Sequence, residues 1–360
     1  MTDLPNVLAA LRSATCPEDV FGTLGGTRDA KLRAGRRIHR KLVFATHTDH
    51  QPAEVQAEAA EAFRLMTEWW RMAQEAIQDG TYGSRTIPFR PITLTSRTGA
   101  YVLRESKVPT TGRIALVYNG QDKHRHPVLV RIASSPVVND FLEAEHQALL
   151  SMHGEADKVK DSLLPSVPRC LDSFLVAEPG KSTRRRVNVL TYLPDLVSVQ
   201  EIQKAYPDGI DARDMVWMWK RLLGVLYRAH SVGLVHANCV PDRMLLHLGD
   251  HGGAITDWSF AVKTGTRARA VIPEFLSLYP PEVAKKLPVG PATDLYMVAA
   301  LMLRLCPTMP KRLGALAKAC LQDRLSVRLD DAIQVHRMID DLLEPLFGIK
   351  KFRRFALPAS

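Results

Sequence analysis

Two short stretches of the sequence hold residue types that could do chemistry together. The first reads GLVHANCVPDRMLL and contains His236, Asn238 and Arg243, and the second reads AITDWS and contains Asp257, nineteen residues after Asn238. Taken alone, Asp257 is typical of a turn residue at a strand end, and His236 is typical of a buried structural histidine. Their order and spacing, with the segments around them, indicate instead one site shared by the two stretches.

The order of these stretches resembles that of a protein kinase. The first resembles the catalytic loop, H-R-D-x-x-x-x-N, and Asp257 stands where the metal-binding D-F-G aspartate is expected. Pro280-Pro281-Glu282 resembles the A-P-E motif that ends the activation segment, and Asp294 opens an apolar helix twelve positions later. The resemblance covers roughly residues 92–345.

The resemblance extends upstream to a nucleotide cleft. The run VLVRI resembles the V-A-I-K strand with Arg131 in the place of the lysine, and Glu145 follows fourteen residues on, where that lysine's partner is expected. Gly112, in the run TTGRIA, is the one glycine left of a glycine-rich loop. With Tyr192, these residues are the ones that the resemblance places around a nucleotide. Arg131 and Glu145 are equally consistent with a purely structural ion pair.

Most of the residues that phosphoryl transfer requires are changed. The reaction needs a carboxylate to orient the substrate hydroxyl, metal ions held by an Asp and an Asn, and a lysine that pairs with phosphates. Asn238 replaces the carboxylate, and an amide cannot accept the hydroxyl proton. Arg243 replaces the second metal ligand with a permanent cation, and Arg131 replaces a point charge with a planar fork. Asp257 alone is intact, so binding of ATP and Mg²⁺ stays open while the sequence favours a pseudokinase.

Other residues have structural roles by the same resemblance. Glu282 is expected to pair with an arginine late in the helical lobe, and Arg328 is the candidate partner. Asp294 and His236 are also expected to be structural. Asp242 follows Asn238 by four residues and could lend the missing carboxylate to an atypical active kinase.

The N-terminal part resembles a J-domain over about residues 15–83. Its pattern is a basic helix, a short loop, and a long helix that presents Phe63, Met66 and Trp70 on one face. J-domains stimulate the ATPase of DnaK-class chaperones through a basic second helix and an H-P-D loop. The residues that the resemblance implies in this contact are Arg36, Arg37, Arg40, His47, Thr48 and Asp49.

Two features depart from that pattern. Thr48 replaces the proline whose ring locks the loop backbone, so the loop is more mobile and chaperone stimulation is in doubt. Gly35 lies in the middle of the basic helix, where glycine costs about 1 kcal/mol relative to alanine. The alternatives are a two-helix hairpin with a solvated basic face, or a J-domain-like module that now serves as an adaptor.

The predicted fold class is α+β. It is a two-lobed protein-kinase-like fold, with a small β-rich lobe and a larger helical lobe, preceded by an all-α helical hairpin. In chain order, we expect an N-terminal tail (1–14), the J-domain-like module (15–83), a linker (84–91), the β-rich lobe (92–192), the helical lobe (193–345) and a basic tail (346–360).

Composition narrows the location and the partners. The five cysteines are scattered, with no C-x-x-C pair, which favours a reducing compartment. The N-terminus does not read as a secretory signal, and the longest apolar run is about half of a membrane span. We therefore expect a cytoplasmic protein with no membrane partner. The net charge of +10 admits nucleic acid, but the basic clusters join no nucleic-acid motif, so such a partner is not expected.

Three functions remain after these observations. The leading hypothesis is a non-catalytic regulator, scaffold or co-chaperone-type adaptor, in which a kinase-like body binds protein partners and the N-terminal module contacts a DnaK-class chaperone. The second is an atypical active serine/threonine kinase that uses Asp257 to hold a metal ion. The third and weakest is a basic nucleic-acid-binding protein.

Overall fold

The chain forms two compact units, Met1–Arg90 and Pro91–Ser360, which are described separately. The computed structural model describes ten segments of the chain: residues 4–14, 16–46, 52–78, 80, 82–83, 92–107, 114–154, 167–177, 182–349 and 352–358. Among these residues, no helix is both long enough and apolar enough to cross a membrane.

The described residues of the first unit form helices and turns, with no strand among them. The α-helices are α1 (Leu4–Ser13), α2 (Pro17–Phe21), α3 (Arg28–Thr46) and α4 (Gln56–Gln78). The apolar side of α1 packs against the first half of α4, where Ala59, Ala62 and Met66 are buried. The segment expected to be an N-terminal tail therefore contains a helix that contributes to the core of this unit.

A glycine and a tryptophan determine how closely α3 and α4 approach. Gly35 is buried under the ring of Trp70, and a Cβ atom at this position would lie 2.6 Å from that ring. Phe21 and His39 complete the contact, with ring centroids 5.3 Å and 5.1 Å from that of Trp70. The low helix propensity of Gly35 is therefore offset by packing, because no larger residue fits there.

The second unit begins with a curled antiparallel sheet. Its strands are β1 (Ile92–Thr95), β2 (Ala100–Lys107), β3 (Ala115–Gln121), β4 (Pro127–Ala133), β5 (Cys170–Ala177) and β6 (Arg184–Thr191), in the order β1-β2-β3-β4-β6-β5. Helix α5 (Asn139–Gly154) connects β4 to β5 and packs against β5 and β6. The central strand β4 is buried along most of its length, as its run of branched apolar residues predicts.

The rest of the second unit is mainly helical. Its helices are α6 (Val199–Ala205), α7 (Ala212–Ser231), α8 (Pro281–Ala284), α9 (Pro291–Leu305), α10 (Lys311–Cys320) and α11 (Ala332–Phe347). Five short strands pair among them: β7 (Leu196–Ser198), β8 (Leu234–Val235), β9 (Met244–His247), β10 (Gly252–Ile255) and β11 (Val262–Lys263). The core lies between α7 and α9, with Trp219 and Trp258 fully buried. The expected α+β class is confirmed.

The C-terminal segment packs on this helical body. Phe355 is buried, and the Tyr206 hydroxyl donates a hydrogen bond of 2.6 Å to the Ala356 carbonyl. Arg353 pairs with Asp214 at 3.0 Å. The described part of the basic tail, residues 352–358, is therefore held against the body.

Candidate functional site

Strand β4 and helix α5 bring Arg131 and Glu145 together. Arg131 Nη1 donates to Glu145 Oε1 at 2.7 Å, and both side chains are buried. The other carboxylate oxygen accepts a bond of 3.0 Å from Asn188, which lies opposite Arg131 on β6. Both oxygens of Glu145 therefore have partners. The second partner is Asn188 because the register of β6 against β4 places it opposite Arg131.

Asp257 lies between two arginines. Its Oδ1 accepts from Arg131 Nη2 at 2.5 Å and from the Ser259 hydroxyl, and its Oδ2 accepts from Arg243 Nε at 2.7 Å. The backbone at Asp257 is left-handed, with φ of 61°, a conformation that aspartate adopts more readily than most residues. This turn between β10 and the Trp258–Phe260 3-10 helix directs the carboxylate to both guanidinium groups.

The pKa values of two carboxyl groups in this cluster are shifted in opposite directions. Burial alone would raise the pKa of Asp257, but the guanidinium groups of Arg131 and Arg243 outweigh burial and hold that pKa far below its ordinary value. Burial raises the pKa of Glu145, which shares Arg131 with Asp257 and has no second cation. The Asp257 carboxylate is therefore ionised, and the guanidinium groups of the chain itself neutralise its charge.

Arg243 also binds the neighbouring carboxylate, that of Asp242. Its Nη1 donates to both oxygens of Asp242 at 2.9 Å, while its Nε reaches Asp257. The guanidinium lies over the Phe260 ring, 5.6 Å from the centroid, and Arg243 is only 5% exposed. One buried guanidinium thus bridges two carboxylates, as a metal cation would. Both oxygens of Asp242 therefore accept from Arg243.

Asn238 is bound by a residue that sequence reasoning missed. The Tyr279 hydroxyl donates a hydrogen bond of 2.5 Å to Asn238 Oδ1 and accepts one of 3.0 Å from the Ile272 backbone N–H. Burial raises the pKa of Tyr279 to about 12. Asn238 is fully buried, and its Nδ2 has no hydrogen-bond partner among the described residues. The sequence signal for Tyr279 was its place directly before Pro280-Pro281-Glu282.

Asp294 and His236 hold the loop around Asn238. Asp294 accepts 2.8 Å bonds from the backbone N–H groups of His236 and Ala237 and lies 3.0 Å from His230 Nε2. His236 Nε2 lies 3.0 Å from the Thr256 carbonyl, and burial lowers the pKa of His236. The His236 imidazole is therefore neutral and fully buried, and both of its ring nitrogens contact backbone groups.

Glu282 and Arg328 meet in the interior of the helical lobe. Arg328 Nη1 donates to Glu282 Oε1 at 2.7 Å, and the Thr293 hydroxyl donates to the same oxygen at 2.9 Å. Arg328 Nε also donates to the Gln322 carbonyl at 2.6 Å. These contacts tie the start of α8 to the start of α9 and to the loop before α11.

The remaining candidates lie apart from these clusters or outside the described residues. Tyr192 follows β6 directly and is partly exposed. Gly112 and the His47-Thr48-Asp49 loop lie outside the described part of the chain. The last three candidates lie on α3 with exposed side chains: Arg36, Arg37 and Arg40.

The donor set does not fit a Mg²⁺–nucleotide complex. Both oxygens of Asp257 bind guanidinium groups, and the second metal position carries Arg243, which has no lone pair to give a metal. Among the described residues, no group of three or more His, Cys, Asp or Glu side chains could hold a metal ion.

The comparisons with known proteins show the fold. No protein-family model matches the sequence, and no curated protein matches it. A solved structure of vaccinia related kinase 3 is similar, with a TM-score of 0.56 at 13% sequence identity, and the match covers 76% of this chain and 96% of that one. At this identity the likeness carries the fold and not the activity. The chain therefore contains a protein-kinase-like fold.

Proposed function

We propose that this chain is a pseudokinase, a non-catalytic regulator or scaffold that binds a protein partner and takes no part in phosphoryl transfer. The observation that carries the proposal is the pair of guanidinium groups on Asp257, one from Arg131 and one from Arg243. Phosphoryl transfer requires this carboxylate to hold a metal ion. Here its negative charge and both of its oxygens are used by the chain itself.

The Arg243 guanidinium opposes metal binding at Asp257. A metal ion bound to Asp257 would lie within a few ångströms of the Arg243 guanidinium, which cannot lose its proton. At about 4 Å and an effective dielectric constant of about 20, a dication and a guanidinium repel each other by about 8 kcal/mol. Mg²⁺ would also have to displace Arg243 from its ion pair with Asp257, so metal binding is disfavoured while Arg243 stays in place.

The substrate side of the site supports the same proposal. In an active kinase a carboxylate accepts the proton of the substrate hydroxyl. In this chain the corresponding position is the Asn238 amide, and the Tyr279 hydroxyl already donates to its oxygen at 2.5 Å. A hydroxyl of the chain's own activation segment thus takes the position at which a substrate hydroxyl would have to bind.

The test is calorimetric titration of the full chain with ATP, with and without Mg²⁺. We expect no Mg²⁺-dependent binding by the wild-type protein, whose folding is checked by circular dichroism. The Arg131→Lys, Arg243→Asn double variant restores the residue types of an active cleft and is expected to gain such binding. Mg²⁺-dependent binding by wild type that is lost in Asp257→Asn would overturn the proposal in favour of an atypical kinase.

We further propose that the first unit is a J-domain-like adaptor for a DnaK-class chaperone. The support is the exposed basic row of Arg36, Arg37 and Arg40 on α3, which suits an acidic partner surface. Binding of the full chain to such a chaperone is expected to fall when these three arginines become glutamine. A matched control changes Arg64 and Arg71, exposed on α4, and is expected to keep the affinity. Absence of wild-type binding would remove the adaptor role and leave the pseudokinase proposal standing.

A further inference from the structure

A cavity of about 590 Å³ lies in the helical part of the second unit. It is bounded by α7, α11, the turn between β9 and β10, and the C-terminal segment. It shares no lining residue with the cluster around Asp257. Cavities of about 300–1,000 Å³ are the size that encloses small organic ligands.

One face of α7 supplies a wall of this cavity. Arg213, Val216, Trp217, Lys220 and Arg221 all line it. Their spacing of three, four, seven and eight residues places them on one stripe of a helix. Such a stripe usually packs into the core, but here it combines apolar side chains with three cations.

The cavity is also lined by aromatic and apolar side chains from several elements. The Trp217 and His251 rings stack in parallel with centroids 4.0 Å apart, and Phe352 stacks on His251 at 4.5 Å. Leu343 and Phe347 of α11 also line the space. An apolar body is therefore the part of a ligand that these walls would accept.

The charges at the cavity do not cancel. Lys220 pairs with Asp340, and Arg353 pairs with Asp211 and Asp214. The two other cations of the wall are Arg213 and Arg221.

Neither Arg213 nor Arg221 forms a salt bridge among the described residues, although the charge of Arg213 acts on Asp214. The Arg213 guanidinium lies over the Phe347 ring, and Arg221 donates through Nε to the His251 carbonyl at 2.6 Å. Burial lowers the pKa of His251, so this imidazole is neutral near pH 7. Four cations of the lining therefore face the three carboxylates named above, which leaves one positive charge in excess.

One buried nitrogen atom of the lining also lacks a partner. Trp217 Nε1 has no hydrogen-bond partner among the described residues. Buried polar atoms without partners are uncommon because each one costs stability. An unsatisfied donor in the wall of the cavity indicates a region that is completed by something it binds.

We propose that this cavity binds a small amphipathic anion, a carboxylate carried on an apolar chain or ring. The apolar part lies against Trp217, Leu343 and Phe347, and the carboxylate is bound by one arginine of the α7 wall, Arg213 or Arg221, which lie about 12 Å apart along the helix. Guanidinium groups suit this role because their donors match the two oxygens of a carboxylate. The volume suits a single small molecule rather than a folded segment of a partner protein.

The test compares decanoate with decanol, which share a ten-carbon chain and differ in charge. Both are titrated into the full chain by calorimetry below the concentration at which decanoate forms micelles. We expect one decanoate per chain, and affinity at least about tenfold higher than for decanol, since charge-assisted hydrogen bonds are worth about that factor. Equal affinity for the two, or no binding of either, would overturn the proposal.

Two variants locate the site. The double variant Arg213→Gln, Arg221→Gln is expected to lose the preference for decanoate, whereas Arg312→Gln, at an exposed arginine of α10, keeps it. Leu343→Trp fills the cavity and is expected to weaken both ligands. The thermal midpoint of each variant shows that it is folded. A preference for decanoate that survives in the double arginine variant would place binding elsewhere and refute the assignment.

Discussion

Replacing Asp257 with asparagine tests the arginine cluster most directly, because the change keeps the shape of the side chain and removes its charge. Two largely buried cations, Arg131 and Arg243, then lose one carboxylate that they share. Removing one partner of a buried ion pair costs about 3–5 kcal/mol. Arg131 keeps Glu145 and Arg243 keeps Asp242, so we expect the lower end of that range, about 3 kcal/mol of the free energy of unfolding.

The assay is urea unfolding followed by circular dichroism and tryptophan fluorescence. Trp258 is fully buried directly after Asp257 and is a local reporter. The matched control is Asp140→Asn, which also removes a carboxylate from an arginine, Arg269, but at a side chain that is 66% exposed. An exposed pair contributes at most about 1 kcal/mol. An Asp257→Asn protein no less stable than the Asp140→Asn protein would refute the reasoning.

The same pair predicts a dependence on pH. The pKa of Asp257 is held below its ordinary value of 3.8, so the folded state keeps this carboxylate ionised where the unfolded chain protonates it. The stability that it contributes is present above about pH 4 and is lost as the pH falls through the lowered pKa. The difference in unfolding free energy between wild type and Asp257→Asn should therefore narrow as the pH is lowered below 4. A constant difference would contradict the ion-pair explanation.

Two further predictions concern other contacts. Burial raises the pKa of Tyr279 from 10.0 to about 12, so wild type should lose stability relative to Tyr279→Phe as the pH rises between these values. The expected loss of unfolding free energy, measured by urea unfolding at each pH, is at most about 2.7 kcal/mol. Parallel stability curves for the two proteins would exclude a buried neutral hydroxyl. Gly35→Ala should destabilise the chain by about 1–3 kcal/mol because its Cβ meets Trp70, whereas Gly314→Ala, in open space on α10, should stabilise it by up to about 1 kcal/mol; equal thermal shifts would contradict this packing.

The parts of the fold that the sequence predicted are those with strong patterns. The run VLVRI is the buried strand β4, and Glu145, expected as the partner of Arg131 from its spacing of fourteen residues, lies on α5 and pairs with it. Strand β5, Cys170–Ala177, was missed because it lies at the sheet edge and its side chains are only partly buried, which weakens the apolar pattern. Helix α1 was taken for part of a tail because it is short and its partner, α4, lies some fifty residues later.

The residue types of the candidate site and two of its contacts, Arg131–Glu145 and Glu282–Arg328, were predictable from the kinase resemblance, but the other contacts were not. That Arg243 would disfavour a metal ion followed from its charge, yet its two carboxylate partners could not be read from spacing, because a long side chain reaches in several directions. The bond between Tyr279 and Asn238 joins residues 41 positions apart and depends on how the activation segment folds back. Contacts of this kind are set by tertiary structure, which local patterns do not encode.

The arginine cluster supplies positive charge inside the cleft of the kinase-like fold. In an active kinase, the carboxylates of the cleft are balanced by magnesium and a lysine when nucleotide is bound. Here two arginines, Arg131 and Arg243, pair with three carboxylates, those of Asp257, Asp242 and Glu145, and burial raises the pKa of Glu145. Removing the charge of Arg131 would leave the buried Glu145 carboxylate without its cation. A neutral residue in place of either arginine alone would therefore give a less stable protein.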